Sequence, residues 1–145
     1  MKAGMKLTGE AVRVERIFER AEKDGRDHLL EPEVYALLRA LGITGPRFLF
    51  VKKGERATSD ELKALGSDRV VIKVVSPQIV HKSDVGGVVF VRNRSSEVNR
   101  AIGRMLSGIT EKLAGTNGAA PDIRGVLVLE MVEFEELGFG SELLV

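Results

Sequence analysis

The sequence has 145 residues, and its 22 lysines and arginines nearly balance its 21 aspartates and glutamates, for a formal net charge of +1. This balance lacks the basic excess of a nucleic-acid-binding domain, and the absence of cysteine excludes disulfide scaffolds, thiol catalysis and cysteine-ligated zinc. No apolar run approaches the roughly 20 residues that cross a bilayer, and no apolar stretch follows the first lysines as in a secretory signal. We therefore expect one cytoplasmic globular domain that binds neither nucleic acid nor membrane.

Two amphipathic helices are predicted at the start of the chain. Over residues 10–24, apolar side chains recur at helical spacing and the pattern ends at Gly25; they are Val14, Ile17, Phe18 and Ala21. A second helix is expected to begin at Glu31-Pro32-Glu33, because proline and carboxylates suit a first turn. Its stripe ends before Gly42 and consists of Val34, Leu37, Leu38 and Leu41.

Short β-branched runs then predict strands, separated by two further helices. The strands are expected at 48–51, 69–75, 88–91, 126–132 and 142–145. Thr58 and Glu61 have the spacing of a capping box for a short helix. Ser95 or Ser96 can cap a longer helix, with a loop of small residues expected at 115–121 and a turn-rich connection at 133–140. The stripe of the longer helix is Val98, Ala101, Ile102, Met105, Ile109 and Leu113. This order of elements predicts an α+β or mixed α/β layer fold, and the apolar last residues suggest a fragment of a longer domain.

Lys73 lies in the middle of the apolar strand 69–75. A lysine there is costly unless its ammonium group reaches water or an anion. Strand alternation places it on the opposite face from Ile72 and Val74, so one interpretation is a lysine on a solvated sheet face. The other interpretation is a ligand for an anion.

The connection 76–87, Ser-Pro-Gln-Ile-Val-His-Lys-Ser-Asp-Val-Gly-Gly, favours the second interpretation. It joins two strands that are close in sequence, so we expect an antiparallel hairpin whose loop folds over the sheet face that carries Lys73. Gly86 and Gly87 allow positive φ and close approach of a ligand, and successive loop N–H groups can bind an anion. Ser83 adds a hydroxyl donor, and Lys73 or Lys82 can supply the positive charge. The 76–87 loop is therefore a candidate phosphate site, although neither a Walker motif nor a dinucleotide glycine pattern is present.

The chain has two histidines, and they differ in context. His28 lies in a charged stretch between the first helices and is expected to be an ordinary surface residue. His81 lies within the 76–87 loop, where it could bind the anion, accept a phosphoryl group as a nucleophile, or serve only the loop structure.

Three segments together resemble a known family. Residues 71–88 resemble the signature of the ATP-grasp subunit or domain of ADP-forming acyl-CoA (acetyl-CoA) synthetases, in the succinyl-CoA synthetase superfamily. Residues 30–43 resemble the helix that opens that domain, and residues 125–132 resemble the strand that leads to its nucleotide hinge. The similarity is colinear from about residue 21 to 145. The turn 44–46 departs from the proline-rich turn that is usual in the family.

The resemblance implies a role for each matching residue. Lys73 would contact the nucleotide phosphates, with Lys82 beside it, and the glycine-rich flap over them would contain Ser83, Gly86 and Gly87. The adenine hinge would be lined by Glu130 and by the backbone of Met131 and Val132, and Glu142 would lie on the ribose side. His81 matches a histidine that is implicated in passing a phosphoryl group to ADP.

The same resemblance implies the domain plan, cofactors and partner. Helices in 1–45 would lead into a first ATP-grasp subdomain at 46–125, and 126–145 would begin an incomplete second one. ATP or ADP would bind with Mg²⁺, whose ligands would lie beyond this chain, and the partner would be a CoA-binding (alpha) subunit or domain. The implied activity is acetate–CoA ligase (ADP-forming) chemistry through a phosphohistidine, with this piece alone inactive. The alternatives are a non-catalytic regulatory module fused to a protein-lysine acetyltransferase and an unrelated phosphate-binding domain.

Overall fold

The computed structural model describes residues 9–117 and 120–132 of the chain. The helices are α1 (Gly9–Lys23), α2 (Glu31–Ala40), α3 (Ser59–Lys63) and α4 (Ser95–Asn117), and the strands are β1 (Phe48–Lys52), β2 (Arg69–Val75), β3 (Val88–Arg92) and β4 (Gly125–Glu130). The expected elements at 133–140 and 142–145 lie outside the described residues. No helix in the described ranges is long and apolar enough to cross a membrane.

The four strands form one antiparallel sheet in the order β1-β4-β2-β3. The predicted hairpin of β2 and β3 is confirmed, with Lys73 opposite Val88. On its other side Lys73 is opposite Leu127 of β4. The mixed α/β class is confirmed. Because β4 lies between β1 and β2, the described residues on both sides of position 125 share one sheet, and the proposed subdomain boundary there remains a prediction.

One face of the sheet, here called the covered face, packs against α3 and α4 and forms the main core. Alternate residues of β2 and β4 point into it and are almost completely buried; they are Val70, Ile72, Val74, Val126 and Val128. The stripe predicted for α4 packs on this face, with Val98 and Ile109 fully buried. The capping box of α3 is also confirmed, because the Thr58 hydroxyl accepts a hydrogen bond from the Glu61 N–H and the Glu61 carboxylate accepts one from the Thr58 N–H.

The opposite face, here called the lysine face, carries Lys73 and is covered in part by the residues of α2 and those leading into it. Leu30 and Tyr35 pack there against Val75, Leu127 and Leu129. The confirmed helices α1 and α2 are less buried than their stripes predict. Ile17 and Ala21 are buried, whereas the predicted core side chains Phe18, Val34 and Leu41 are exposed.

The sequence also predicted the end of α4 too early. Residues 115–117 were expected in a loop but continue the helix to Asn117. Small residues do not stop a helix by themselves, and the first proline after the stripe is Pro121.

Candidate functional site

Lys73 lies on the lysine face at mid-strand, and its positive charge has a specific partner. The Nζ atom donates a hydrogen bond of 2.7 Å to Oε1 of Glu31, the first residue of α2. The side chain of Lys73 is 30% exposed. Its ammonium group is therefore paired with a carboxylate as well as partly accessible to solvent. Both sequence interpretations of Lys73 are therefore incomplete, because its partner is an anion of the protein itself.

Lys82 of the 76–87 loop converges on the same carboxylate. Its Nζ atom donates a hydrogen bond of 2.7 Å to Oε2 of Glu31. The Tyr35 hydroxyl, one turn further along α2, donates a longer bond of 3.3 Å to Oε1. Glu31 therefore joins β2, the 76–87 loop and α2 at one point. Lys73, Lys82 and Glu31 are called the lysine cluster below.

The electrostatics of the cluster favour an ionised Glu31. Partial burial acts to raise the pKa of the Glu31 carboxyl, but the hydrogen bonds and charges of Lys73 and Lys82 outweigh burial and hold its pKa below the ordinary value. Burial, together with the nearby negative charge of Glu31, raises the pKa of Tyr35 to about 12. The cluster therefore carries one negative and two positive charges near neutral pH, a net charge of +1.

The 76–87 loop is anchored at both ends. At its start, Ile79 is buried in the main core and the Gln78 side chain accepts a hydrogen bond from the Asp122 N–H. At its end, the Gly87 carbonyl accepts a bond from the Val74 N–H, and residues Ser83–Val85 form one turn of 3₁₀-helix. A glycine-containing loop with few apolar residues predicts few buried contacts and therefore a mobile segment, and the buried Ile79 departs from the first of these expectations. Mobility remains a prediction.

The two adjacent glycines serve different needs of the loop. Gly86 ends the 3₁₀ turn with a φ of 74°, in the left-handed region that favours glycine. Gly87 lies where the backbone packs closely, since a Cβ atom there would be 2.9 Å from the carbonyl oxygen of Lys82 and 2.5 Å from a methyl group of Val74. Gly86 thus has the expected positive φ. Gly87 has the expected close approach, but the atoms that approach it belong to the protein and not to a ligand.

The tip of the loop presents His81 to solvent. His81 and Ser83 are exposed, and Val80 is 78% exposed. Within the described residues the His81 ring makes no hydrogen bond, whereas the next residue, Lys82, is held in the lysine cluster. The imidazole is therefore accessible, and the residue that follows it in the loop is fixed by its bond to Glu31.

The expected hinge residues lie at the other end of β4. Arg47 ties down Glu130, because its backbone N–H and its Nε atom each donate a hydrogen bond of 2.7 Å to the Glu130 carboxylate. These bonds, the backbone one first, hold the pKa of Glu130 below its ordinary value. The Met131 N–H donates to the Arg69 carbonyl at 3.2 Å, and Val132 is exposed. Glu142 lies outside the described residues.

The described residues do not fit a metal centre of their own. No group of three or more histidine, cysteine, aspartate or glutamate side chains lies close enough together in that part of the chain to hold an ion. His28 is exposed and contacts the neighbouring Asp27 at 2.9 Å. It also lines a cavity of about 160 Å³ with Glu31, Val80 and Lys82, between α2 and the 76–87 loop.

Glu31 is the functional candidate that sequence reasoning missed. It was interpreted only as a favourable charge in the first turn of α2. The signal that could have found it is the isolated strand lysine, which required water or an anion, together with a carboxylate at the start of an amphipathic helix. Glu31 and Lys73 are separated by 42 residues in the sequence, so no local pattern indicates their contact.

This fold and site define a class of protein: an antiparallel α/β domain in which a lysine of the sheet and a lysine of a glycine-containing loop meet at one carboxylate. A protein-family model described as an ATP-grasp domain matches residues 20–145. The chain therefore belongs to the ATP-grasp domain family, as the resemblance predicted.

The chain is similar in sequence to curated relatives over most of its length. It is 36% identical over 132 residues to a 4-hydroxybutyrate–CoA ligase (ADP-forming) of Nitrosopumilus maritimus, a match that covers 90% of this chain and 18% of the relative. It is 33% identical over 118 residues to the beta subunit of an acetate–CoA ligase (ADP-forming) I of Pyrococcus furiosus, covering 80% of this chain and 47% of the relative. The chain thus spans about half, or much less, of the relatives that it matches.

A solved structure shares the fold. ACD1 of Ca. Korarchaeum cryptofilum, in complex with coenzyme A, aligns with a TM-score of 0.65 and 29% identity. The alignment covers 83% of this chain and 49% of that chain. The ATP-grasp fold expected from the sequence is confirmed by this similarity.

Proposed function

We propose that this chain is the nucleotide-binding part of an ADP-forming acyl-CoA ligase, which interconverts acyl-CoA, ADP and phosphate with the free acid, CoA and ATP. The observation that carries the proposal is the convergence of Lys73 and Lys82, each 2.7 Å from one anionic group, in a chain of the ATP-grasp family whose 76–87 loop also carries an exposed histidine. The relatives above are named as ligases of this kind, and nothing in the comparisons supports the acetyltransferase alternative.

The phosphates of the nucleotide would bind at the lysine cluster. Lys73 and Lys82 supply positive charge, and the turn at Ser83, Gly86 and Gly87 supplies the adjacent loop. Two ammonium groups at one point suit the clustered negative charges of a di- or triphosphate better than a single carboxylate or a neutral ligand.

The base would lie toward the end of β4. Lys73 is opposite Leu127, so Glu130 is three residues further along β4, or about 10 Å at the rise of an extended strand. An extended nucleotide lying along the sheet can span that distance. The backbone of Met131 and Val132 would then line the base side. Glu130 would contribute at the end of the strand, since alternation places its side chain on the covered face with Val126 and Val128, and Glu142 would lie near the ribose.

His81 would carry the phosphoryl group. In the direction of ATP formation, an unprotonated imidazole nitrogen of His81 attacks the phosphorus of a phosphohistidine on the partner; the new P–N bond forms as the partner's P–N bond breaks, and the partner's imidazole leaves with that electron pair. A terminal phosphate oxygen of ADP then attacks phosphorus, a P–O bond forms, and the P–N bond to His81 breaks, which returns the electron pair to the imidazole nitrogen. The exposed ring can reach a partner, and Lys82 beside it offers positive charge to the transferred oxygens. Mg²⁺ would neutralise nucleotide phosphates, with ligands supplied from outside the described residues.

The donor of the phosphoryl group would be a CoA-binding (alpha) subunit or domain. One of the relatives above is itself named as a beta subunit, and this chain corresponds to a part of that length. The division at residues 45 and 125, with the second subdomain beginning near 126, belongs to the same proposal.

Substitution of His81 tests this function in the chain assembled with its CoA-binding partner. His81→Ala and His81→Asn are both expected to abolish ATP formation, because neither side chain forms a phosphoramidate, whereas phosphorylation of the partner should persist. A histidine that only supports the loop would instead tolerate asparagine, with the loss appearing mainly in KM. Robust ATP formation by His81→Asn, measured beside incorporation of radiolabelled phosphate, would refute the carrier role.

A further inference from the structure

The lysine cluster contains a residue to which the proposed function gives no task. Glu31 bonds to both lysines that would bind the phosphates. It must therefore either give way to the nucleotide or act together with the lysines. Geometry and burial distinguish these two possibilities.

Glu31 has the least exposed side chain of the lysine cluster. It is 19% exposed, whereas the side chains of Lys73 and Lys82 are 30% and 24% exposed. Displacing Glu31 would leave a half-buried carboxylate with only the long bond from Tyr35, which is costly.

The lysines retain donors for a second anion. Each ammonium group has three N–H donors, and within the described residues each uses one of them on Glu31. The carboxylate also cancels part of the repulsion between two positive charges that it holds side by side. Without it, the repulsion and the side-chain entropy of lysine would separate them.

We propose that Glu31 is a positioning residue of the phosphate site: its carboxylate remains in place when nucleotide binds and holds Lys73 and Lys82 together so that both contact the phosphates. The inference rests on the proposed function of the two lysines. Glu31 also fixes the 76–87 loop to β2 and α2 through Lys82, so the loop that carries His81 keeps its place over the sheet.

The test is binding of inorganic tripolyphosphate to the full 145-residue chain at low ionic strength, monitored by NMR of the lysine Cε groups. Glu31→Gln is expected to weaken binding about tenfold, which corresponds to about 1.4 kcal/mol. The matched control is Glu19→Gln on α1, which makes the same change in net charge at an exposed side chain 3.9 Å from Lys23. It should bind as the unchanged chain does or slightly more tightly. Equal or tighter binding by Glu31→Gln than by Glu19→Gln would overturn the inference, because the carboxylate would then compete with phosphate.

The titration midpoints of the Lys73 and Lys82 NMR signals distinguish a positioning role of Glu31 from a role in stability alone. In the unchanged chain, the Lys73 and Lys82 signals should shift with one common midpoint. In Glu31→Gln they should shift with separate midpoints, although circular dichroism shows a folded chain. A common midpoint in Glu31→Gln would overturn the coupling. If that variant does not fold, Glu31→Asp decides, since the shorter carboxylate keeps the charge but cannot bridge both lysines, and binding as strong as in the unchanged chain would overturn the inference.

Lys73→Ala separates this inference from the proposed function. If the unchanged chain binds tripolyphosphate and Lys73→Ala does not, the phosphate site stands and the Glu31 variants alone decide the inference. If the unchanged chain shows no binding, or Lys73→Ala binds equally well, the proposed site and the inference both fail.

Discussion

The two faces of the sheet are built from alternate residues of the same strands, yet they have opposite chemistry. On the covered face, Val70, Ile72 and Val74 are fully buried against the helices. On the lysine face, Lys73 lies between them in sequence and meets Glu31 and Lys82. A dry face gains stability from excluding water, whereas a charged, half-open face keeps donors available for a ligand. Stability and binding are therefore expected to respond to different substitutions in one strand.

The largest expected effect is the loss of packing on the covered face. Ile72→Ala removes a fully buried side chain and should lower the free energy of unfolding by about 2–5 kcal/mol. Phe90→Ala, in the neighbouring strand, should change it much less, because Phe90 is 56% exposed. Urea denaturation of both variants measures the difference. Similar losses would show that the two faces contribute alike to stability.

Gly87, where the 76–87 loop meets β3, gives the next largest effect. Gly87→Ala forces a Cβ against the Lys82 carbonyl and Val74 and should cost about 1–3 kcal/mol of unfolding free energy through overpacking. The control is Gly108→Ala in α4, where a Cβ has open space and alanine should stabilise the helix by up to about 1 kcal/mol. Thermal unfolding of the pair is informative, and a Gly87→Ala variant as stable as the unchanged chain would contradict the close approach.

Acid should remove a smaller contribution that belongs to the lysine face. The pKa of Glu31 is lower in the folded chain than its ordinary value of 4.5, so the unfolded chain binds this proton more tightly. The stabilisation is present above about pH 4.5 and is lost as pH falls through the folded pKa. The unfolding free energy of the unchanged chain, relative to Glu31→Gln, should therefore decline on acidification through this range. A difference that is constant from pH 7 to pH 3 would refute the ionised cluster.

The smallest expected effect on stability is at Lys73 itself. Lys73→Met keeps most of the side-chain volume, and Glu31 retains Lys82 as a partner, so the free energy of unfolding should change by less than about 1 kcal/mol. Binding of tripolyphosphate should nevertheless be lost. Denaturation and NMR titration of one sample check both statements, and a strongly destabilised variant would mean that Lys73 serves the fold rather than a ligand.

Local patterns in the sequence predicted the elements and much of the candidate site. Alternation in 69–75 identified β2, the Thr58 and Glu61 spacing identified the start of α3, and the short connection identified the β2–β3 hairpin. These features depend on neighbours within a few residues, so the sequence contains them directly. The exposed side chains of Phe18 and Leu41 show the limit, because a helical stripe indicates which side is apolar but not whether another element covers it.

The sequence by itself determined where most strands and helices form, that the ammonium group of Lys73 needs water or an anion, and that the 76–87 loop can approach it. Only the tertiary structure decided that β4 enters between β1 and β2, and that Glu31 is the anion. Both depend on contacts between distant parts of the chain, whose closure is selected by the packing of the whole sheet and not by local preference. A lysine within an apolar strand requires water or a counter-charge, and the tertiary structure determines which carboxylate pairs with it.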